Sequence, residues 1–240
     1  MGIGAAIVRA AAAEGAKTVL VDRCAEPALA LQAGLPYTHA IVTDLIEPEN
    51  CKRAVDEALE KFGAIDAVVN NAGVNDRVGL ERGSPAEYIV SLERNLFHYY
   101  NVAHYALGAL KKSQGAIVNI ASKTAVTGKG DTSGYASSKG AILALTREWA
   151  IELLPYNIRV NAVVPAEVMT PMYQNWLGAF RDPEAKLTEI LEKIPLGKRM
   201  TTAEEIASMV LFLLSAKASH MTGQHVFVDG GYVHLDRALT

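Results

Sequence analysis

Three side chains in the middle of the sequence can move a proton on or off a carbon-bound hydroxyl: Ser122, Tyr135 thirteen residues on, and Lys139 four further. A spacing of i, i+4 puts Tyr135 and Lys139 on one face of a helix if Gly134 opens one. A free phenol titrates near ~10, too high for a base at neutral pH. A cation one turn away favours the phenolate and lowers that value. A serine hydroxyl can hydrogen-bond the reacting oxygen, so the three together read as a general acid–base device. Taken alone, Tyr-x-x-x-Lys is a common pattern on amphipathic helices, with the tyrosine half-buried and the lysine solvated. The order of the other motifs along the chain is what gives the trio weight.

Such a device needs a rigid frame. Short β-branched runs at 18–22, 40–44, 67–70, 116–120, 159–164 and 225–229 read as strands, and they lack polar alternation, as strands buried on both faces do. Helical stretches fall between them, near 3–14, 48–62, 86–112, 134–154 and 202–215. The alternation predicts an α/β fold with a doubly wound parallel sheet. Several strand ends carry a polar residue: Asp22, Asp44, Asn70 and Asn119. Ligands of open α/β sheets bind beyond those ends, although Asp and Asn also cap helices and favour turns. As a set, the four are expected at a ligand site. Residues 1–240 show no repeat or linker and read as one domain. Pro165, Pro171, Pro183 and Pro195 mark 165–200 as a flap above the sheet.

The 240 residues are half hydrophobic, with a net charge of −3 and no Lys/Arg cluster, which argues against nucleic acid or an anionic membrane as partner. Cys24 and Cys51 have no metal-ligand spacing and suggest no disulfide framework, and His98, His104, His220, His225 and His234 show no metal pattern either. No run reaches the ~18 apolar residues of a membrane span. The first residues lack the regions of a signal peptide, so a cytoplasmic setting is expected. Gly2-Ile3-Gly4 leads straight into a helix, whereas a dinucleotide fold places a strand and a Gly-rich turn before it. The expectation is a sheet short of its first strand, from a truncated or mis-called start, with neighbouring edges left unpaired.

With these motifs in order, the chain resembles the short-chain dehydrogenase/reductase family over essentially its whole length. Gly2, Ile3 and Gly4 resemble the end of the family's glycine-rich turn, and Asn70-Asn71-Ala72-Gly73 matches its Asn-Asn-Ala-Gly motif. Asn95 falls at the family's catalytic asparagine, completing a tetrad with Ser122, Tyr135 and Lys139. The resemblance implies that Tyr135 is the acid/base and that Lys139 lowers its pKa and holds the nicotinamide ribose. It further implies that Ser122 orients the substrate oxygen and Asn95 holds a relay water. Asn71, Ala72 and Gly73 would line the cofactor, Asp44 and Leu45 would contact adenine, and Pro165, Val168 and Thr170 would lie at the nicotinamide. A carboxylate at Asp22 bonds an adenine ribose and repels a 2′-phosphate, which favours NAD; Arg23 beside it leaves NADP open.

Where the family usually has Pro-Gly, this chain has Pro165-Ala166, followed by Glu167. Glu167 either accepts sugar hydroxyls at the pocket mouth or is a solvated loop charge, and the two readings stand even. Within the family, Asn75-Asp76, 93–100, 122–128, 165–171 and the tail 227–239 are similar to bacterial L-fucose dehydrogenases. That likeness implies oxidation of the anomeric hydroxyl of L-fucose or a related sugar to a lactone. Asn75, Lys123 and Glu167 would then meet the substrate, although Lys123 also suits an exposed loop cation. Trp149 and Trp176 read as packing residues. Tyr99, Tyr100 and Tyr105 fall on a helix that packs between subunits in the family, which implies a homotetramer. The alternatives are a dehydrogenase/reductase of another alcohol or ketone, 3-oxoacyl or cyclic, and a fragment with weak or no activity.

Overall fold

The β-branched runs form six strands, all paired in parallel: β1 (Thr18–Asp22), β2 (Thr38–Val42), β3 (Ala67–Asn70), β4 (Ala116–Ile120), β5 (Arg159–Pro165) and β6 (His225–Val228). The computed structural model describes residues 2–235. Met1 and residues 236–240, including the Asp236–Leu239 end of the tail quoted above, lie outside the described residues. β3-β4-β5-β6 make one sheet and β1-β2 another. Among the described residues no ladder joins β1 to β3, so the doubly wound arrangement is split, with an open edge on each side.

Successive side chains of a strand point to opposite faces, and β4 uses both. Ile117 packs with α5 (His98–Ser113) and α6 (Ser133–Glu152) in one core. Val118 and Ile120 pack with α1 (Ile3–Ala13) and α9 (Ala203–Leu214) in another. The remaining helices are α2 (Ala25–Ala33), α3 (Pro48–Phe62), α4 (Pro85–Leu92), α7 (Pro171–Leu177) and α8 (Pro183–Glu192). α7 and α8 close over a small core of Leu177, Ile190, Ile194 and Met200 within the stretch expected to be a flap.

Three expectations change. The single helix read over 86–112 is α4 and α5 joined by a π turn, Glu93–Phe97. α2 gave no periodic signal because its apolar residues do not share one face: Ala28 and Leu31 are buried while Leu29 is 49% exposed. β2 ends at Val42, so Asp44 lies in the following turn, where its Oδ1 accepts the Ile46 N–H at 3.1 Å.

The strand-end polar residues also divide. Asp22 and Asp44 stand at the mouth, but Asn70 and Asn119 are buried and face the helix layer rather than a ligand. Asn70 Nδ2 donates to Asn119 Oδ1 at 2.9 Å, and Asn119 Nδ2 donates to Thr146 Oγ1 of α6 at 3.0 Å. Buried amides must be paired, and this chain of bonds pins α6 to the sheet.

Candidate active site

α6 carries Tyr135 and Lys139, the pair expected to move the proton. A Cβ added at Gly134 would lie 2.4 Å from Ser91 Oγ, so only glycine lets the first turn of α6 press this closely on α4. Tyr135 and Lys139 share a face, with Lys139 Nζ 5.6 Å from the Tyr135 ring centre. Nζ donates to the Ile120 carbonyl at 2.8 Å and to the Tyr99 hydroxyl at 3.0 Å. Tyr99 in turn donates to the same carbonyl at 2.9 Å. Ser122, two residues beyond that carbonyl, caps a short 3-10 turn at Lys123–Ala125 and bonds Thr124 Oγ1 at 3.1 Å.

Burial, rather than the Tyr–Lys attraction, dominates the electrostatics. Desolvation lowers Lys139 to about 7. It raises the Tyr135 phenol above its ordinary value, and a hydrogen bond from Ser122 opposes that rise. The lowering of Tyr135 by Lys139 expected from the spacing does not appear, because both groups lose water and burial dominates each. His98 is held neutral by burial and donates from Nε2 to the Ala72 carbonyl at 3.1 Å.

Asn95 is fully buried inside the π turn. Its Oδ1 accepts the Val74 N–H at 2.7 Å and its Nδ2 donates to the Ser91 carbonyl at 2.9 Å. The side chain therefore clamps the loop after β3 onto the helix. A Cβ at Gly73 would stand 3.0 Å from Asn95 Oδ1 and 3.6 Å from Lys139 Nζ, so the Asn-Asn-Ala-Gly motif runs directly under Lys139.

Several of the residues expected at the cofactor meet at the start of α1. A Cβ at Gly4 would lie 2.8 Å from Asn71 Nδ2, and one at Gly2 would lie 3.3 Å from Thr170 Cγ2, so the start of α1 meets both segments. Ile3 opens α1, where unpaired helix N–H groups suit a phosphate. Thr170 caps α7, accepting the Tyr173 N–H at 3.3 Å. Val168, three residues beyond Pro165, is buried and bridges to Thr201. Asp22 Oδ1 accepts the Cys24 N–H at 2.9 Å. Arg23 stands 4.0 Å from Asp44, and the Leu45 carbonyl accepts the Cys51 thiol at 3.2 Å. A close helix start, an acid at the end of β1 and a buried lysine fit a nicotinamide dinucleotide.

On the substrate side, neither Lys123 nor Glu167 is a solvated loop charge. They form an ion pair with side chains 11% and 12% exposed. The Lys123 ammonium sits 3.9 Å over the Tyr232 ring, and the Tyr173 hydroxyl bonds Glu167. Tyr232 is delivered by Asp229, whose two carboxylate oxygens accept the Gly231 and Val233 N–H groups, each at 2.9 Å. Gly230 and Gly231 hold φ of 64° and 82° in that turn, which side chains resist. Asn75 spends its Oδ1 on the Arg77 N–H at 3.2 Å. Tyr99, Tyr173 and Tyr232 were not expected here. Tyr99 is fully buried against Lys139 instead of facing a neighbouring subunit, and its place four residues after Asn95 is the one hint in the sequence. Trp149 packs in the core as expected, and Lys129 lies 5.1 Å over the Trp176 ring. Among the described residues no group of three His, Cys, Asp or Glu side chains is placed to hold a metal, and no helix is long and apolar enough to cross a membrane.

A buried Tyr–Lys pair bonded by a serine, on a parallel α/β frame whose first helix starts against the Asn-Asn-Ala-Gly loop, is the arrangement of an oxidoreductase of alcohol groups. Residues 1–233 match the family model described as enoyl-(acyl carrier protein) reductase. The chain is 34% identical to L-fucose dehydrogenase of Bos taurus over 231 residues, covering 96% of this chain and 85% of that one. It is similar to the crystal structure of Cj0485 dehydrogenase, with a TM-score of 0.95 and 46% identity over 100% of this chain and 93% of that chain. It also resembles the Thermoplasma acidophilum aldohexose dehydrogenase structure, with a TM-score of 0.90 and 32% identity over 99% and 92%. The chain belongs to the short-chain dehydrogenase/reductase family, NAD(P)-linked enzymes acting on CH–OH groups.

Proposed function

We propose that the protein oxidises the anomeric hydroxyl of a sugar such as L-fucose to the lactone, with NAD as the preferred acceptor. The observation that carries this reading is the buried Lys123–Glu167 pair set next to Ser122, a donor and an acceptor beside the proton-transfer trio. A polyhydroxylated ring can satisfy both partners, whereas a plain alkyl chain would leave them facing apolar surface. The bound nicotinamide supplies the hydride acceptor. Ser122 holds the reacting oxygen, Tyr135 takes its proton, and Lys139, anchored on Ile120, favours the phenolate as that proton moves. Asn95 keeps the Gly73–Val74 loop in place under Lys139 and keeps one amide N–H for a relay water.

The choice of NAD rests on Asp22, and Arg23 is drawn toward Asp44 rather than standing free for a phosphate. Gly2, Ile3, Gly4, Asn71, Ala72 and Gly73 hold the phosphates and ribose, Asp44 and Leu45 the adenine, and Pro165, Val168 and Thr170 the nicotinamide. Asn75 joins Lys123 and Glu167 at the sugar. On the same reading the chain is one domain, with α7 and α8 as a flap over the substrate. It works in the cytoplasm as a homotetramer, whose contacts use the exposed Ile89, Val90, Phe97 and Tyr100 of α4, the π turn and α5.

The test is NAD and NADP reduction by the purified protein with L-fucose, L-galactose and D-arabinose, against simple secondary alcohols and cyclic ketones. Turnover of sugars with NAD is expected. Activity confined to the non-sugar substrates would overturn the reading.

A further inference from the structure

We infer that Tyr99 is a positioning residue for Lys139: its phenol oxygen holds the ammonium group over the active site and sustains its charge. The inference rests on the reading of Lys139 as the cation that serves Tyr135.

Three polar groups make a closed triangle beneath the site. Tyr99 donates its only hydroxyl proton to the Ile120 carbonyl at 2.9 Å, so its lone pairs are left for Lys139, which donates to it at 3.0 Å. Lys139 closes the triangle on the same carbonyl at 2.8 Å. Two of the three ammonium protons are thus committed to fixed oxygens, which leaves the third to act toward Tyr135 and a bound ribose. Tyr99 itself cannot move: it is fully buried, and the His98 ring packs edge-on at 4.9 Å.

The surroundings make this oxygen count. Lys139 is 2% exposed, and burial alone accounts for its low proton affinity. The titratable groups that face it are Tyr135 on its own helix and Tyr99 and His98 on α5, and none is an anion at neutral pH. With no carboxylate among the described residues to sustain the ammonium, neutral oxygens must do it, and Tyr99 supplies one of them. Burial pushes the Tyr99 phenol well above its ordinary range, so it stays a neutral acceptor at all working pH values.

The test is Tyr99→Phe, which keeps the ring and removes the oxygen. Two measurements are made: the pH dependence of the oxidation rate, and titration of Lys139 Nζ by NMR in 15N-lysine protein. Loss of the acceptor lowers the proton affinity of Lys139 by about 3- to 10-fold, a downward shift of roughly half to one unit. The rate should level off at a correspondingly lower pH, with a plateau about 3- to 10-fold lower, while the rate on the acidic limb stays unchanged. An unaltered Lys139 titration with a rate reduced equally at every pH would overturn the inference, because Tyr99 would then be packing alone. If the wild type turns over no sugar or alcohol yet Tyr99→Phe still lowers the Lys139 titration, the functional reading fails and the placement of Tyr99 stands.

Discussion

The two sheets treat their residues differently. Every residue of β4 is buried, and so is all of β5 but Arg159, whereas all five residues of β1 are half-buried. At the β4–β5 end, polar groups work in the dry interior: Asn70, Asn119, Thr146 and Lys139 are each satisfied by fixed partners. At the β1–β2 end, Asp22, Arg23 and Asp44 stand within reach of water, and the Arg23–Asp44 pair is long at 4.0 Å. On the proposed reading, chemistry is set by desolvation, and nucleotide preference by weak, screened contacts. The same charge change should matter far more in the first place than in the second.

Removing the phenol oxygen breaks the comparison at its strongest point. Tyr135→Phe should lower turnover by about 10³-fold while circular dichroism and melting stay unchanged, and retained activity would place the acid/base elsewhere. The dry end can next be probed through Lys139, whose proton affinity is depressed to about 7 from 10.5. The unfolded chain then binds more protons than the folded one between those values, so stability rises with pH in that window. Relative to Lys139→Met, the wild type should gain about 1.4 kcal/mol per pH unit above neutrality in urea unfolding. A gain as pH falls would contradict the sign.

Asn119→Ala strands two buried partners and should cost about 2–3 kcal/mol. At the open end, Thr38→Val removes the 2.8 Å bond to Thr18 and should cost under about 1 kcal/mol. Equal losses in thermal unfolding would erase the distinction between the sheets. The smallest effect belongs to the acid at the end of β1. If NAD is the preferred acceptor, as proposed, Asp22→Ala should narrow its preference over NADP by roughly tenfold, about 1.4 kcal/mol, read as the ratio of kcat/KM values.

The legible part of the protein is the part written in local spacing. β1, β3 and β4 fall where their β-branched runs placed them, and Tyr135 and Lys139 share a helix face as i, i+4 requires. The rest depends on partners distant in sequence. Asn70 and Asn119 look like ligand-facing strand ends until β3 and β4 pair and turn them toward Thr146. Lys123 and Glu167 each look like a loop charge because their partner lies 44 residues away. α2 is invisible because its apolar residues do not share one face. The π turn is invisible because its side chains read as an ordinary helix.

That π turn puts two helices on different phases. Each residue advances a helix by about 100°, and the widened turn at Glu93–Phe97 resets the count, so that Tyr99 faces inward while its neighbour Tyr100 is 53% exposed. One helix thereby serves two clients, the buried Lys139 and the outer surface. Deleting a single residue within the turn would keep a helix of almost the same length and composition. It would also turn everything after it by nearly a third of a circle, carrying Tyr99 away from Lys139 and presenting a different stripe to the outside. Here a one-residue change in reading frame along a helix acts as a rotary dial, and on the proposed reading chain length between Asn95 and Tyr99 matters to Lys139 as much as the identity of either residue.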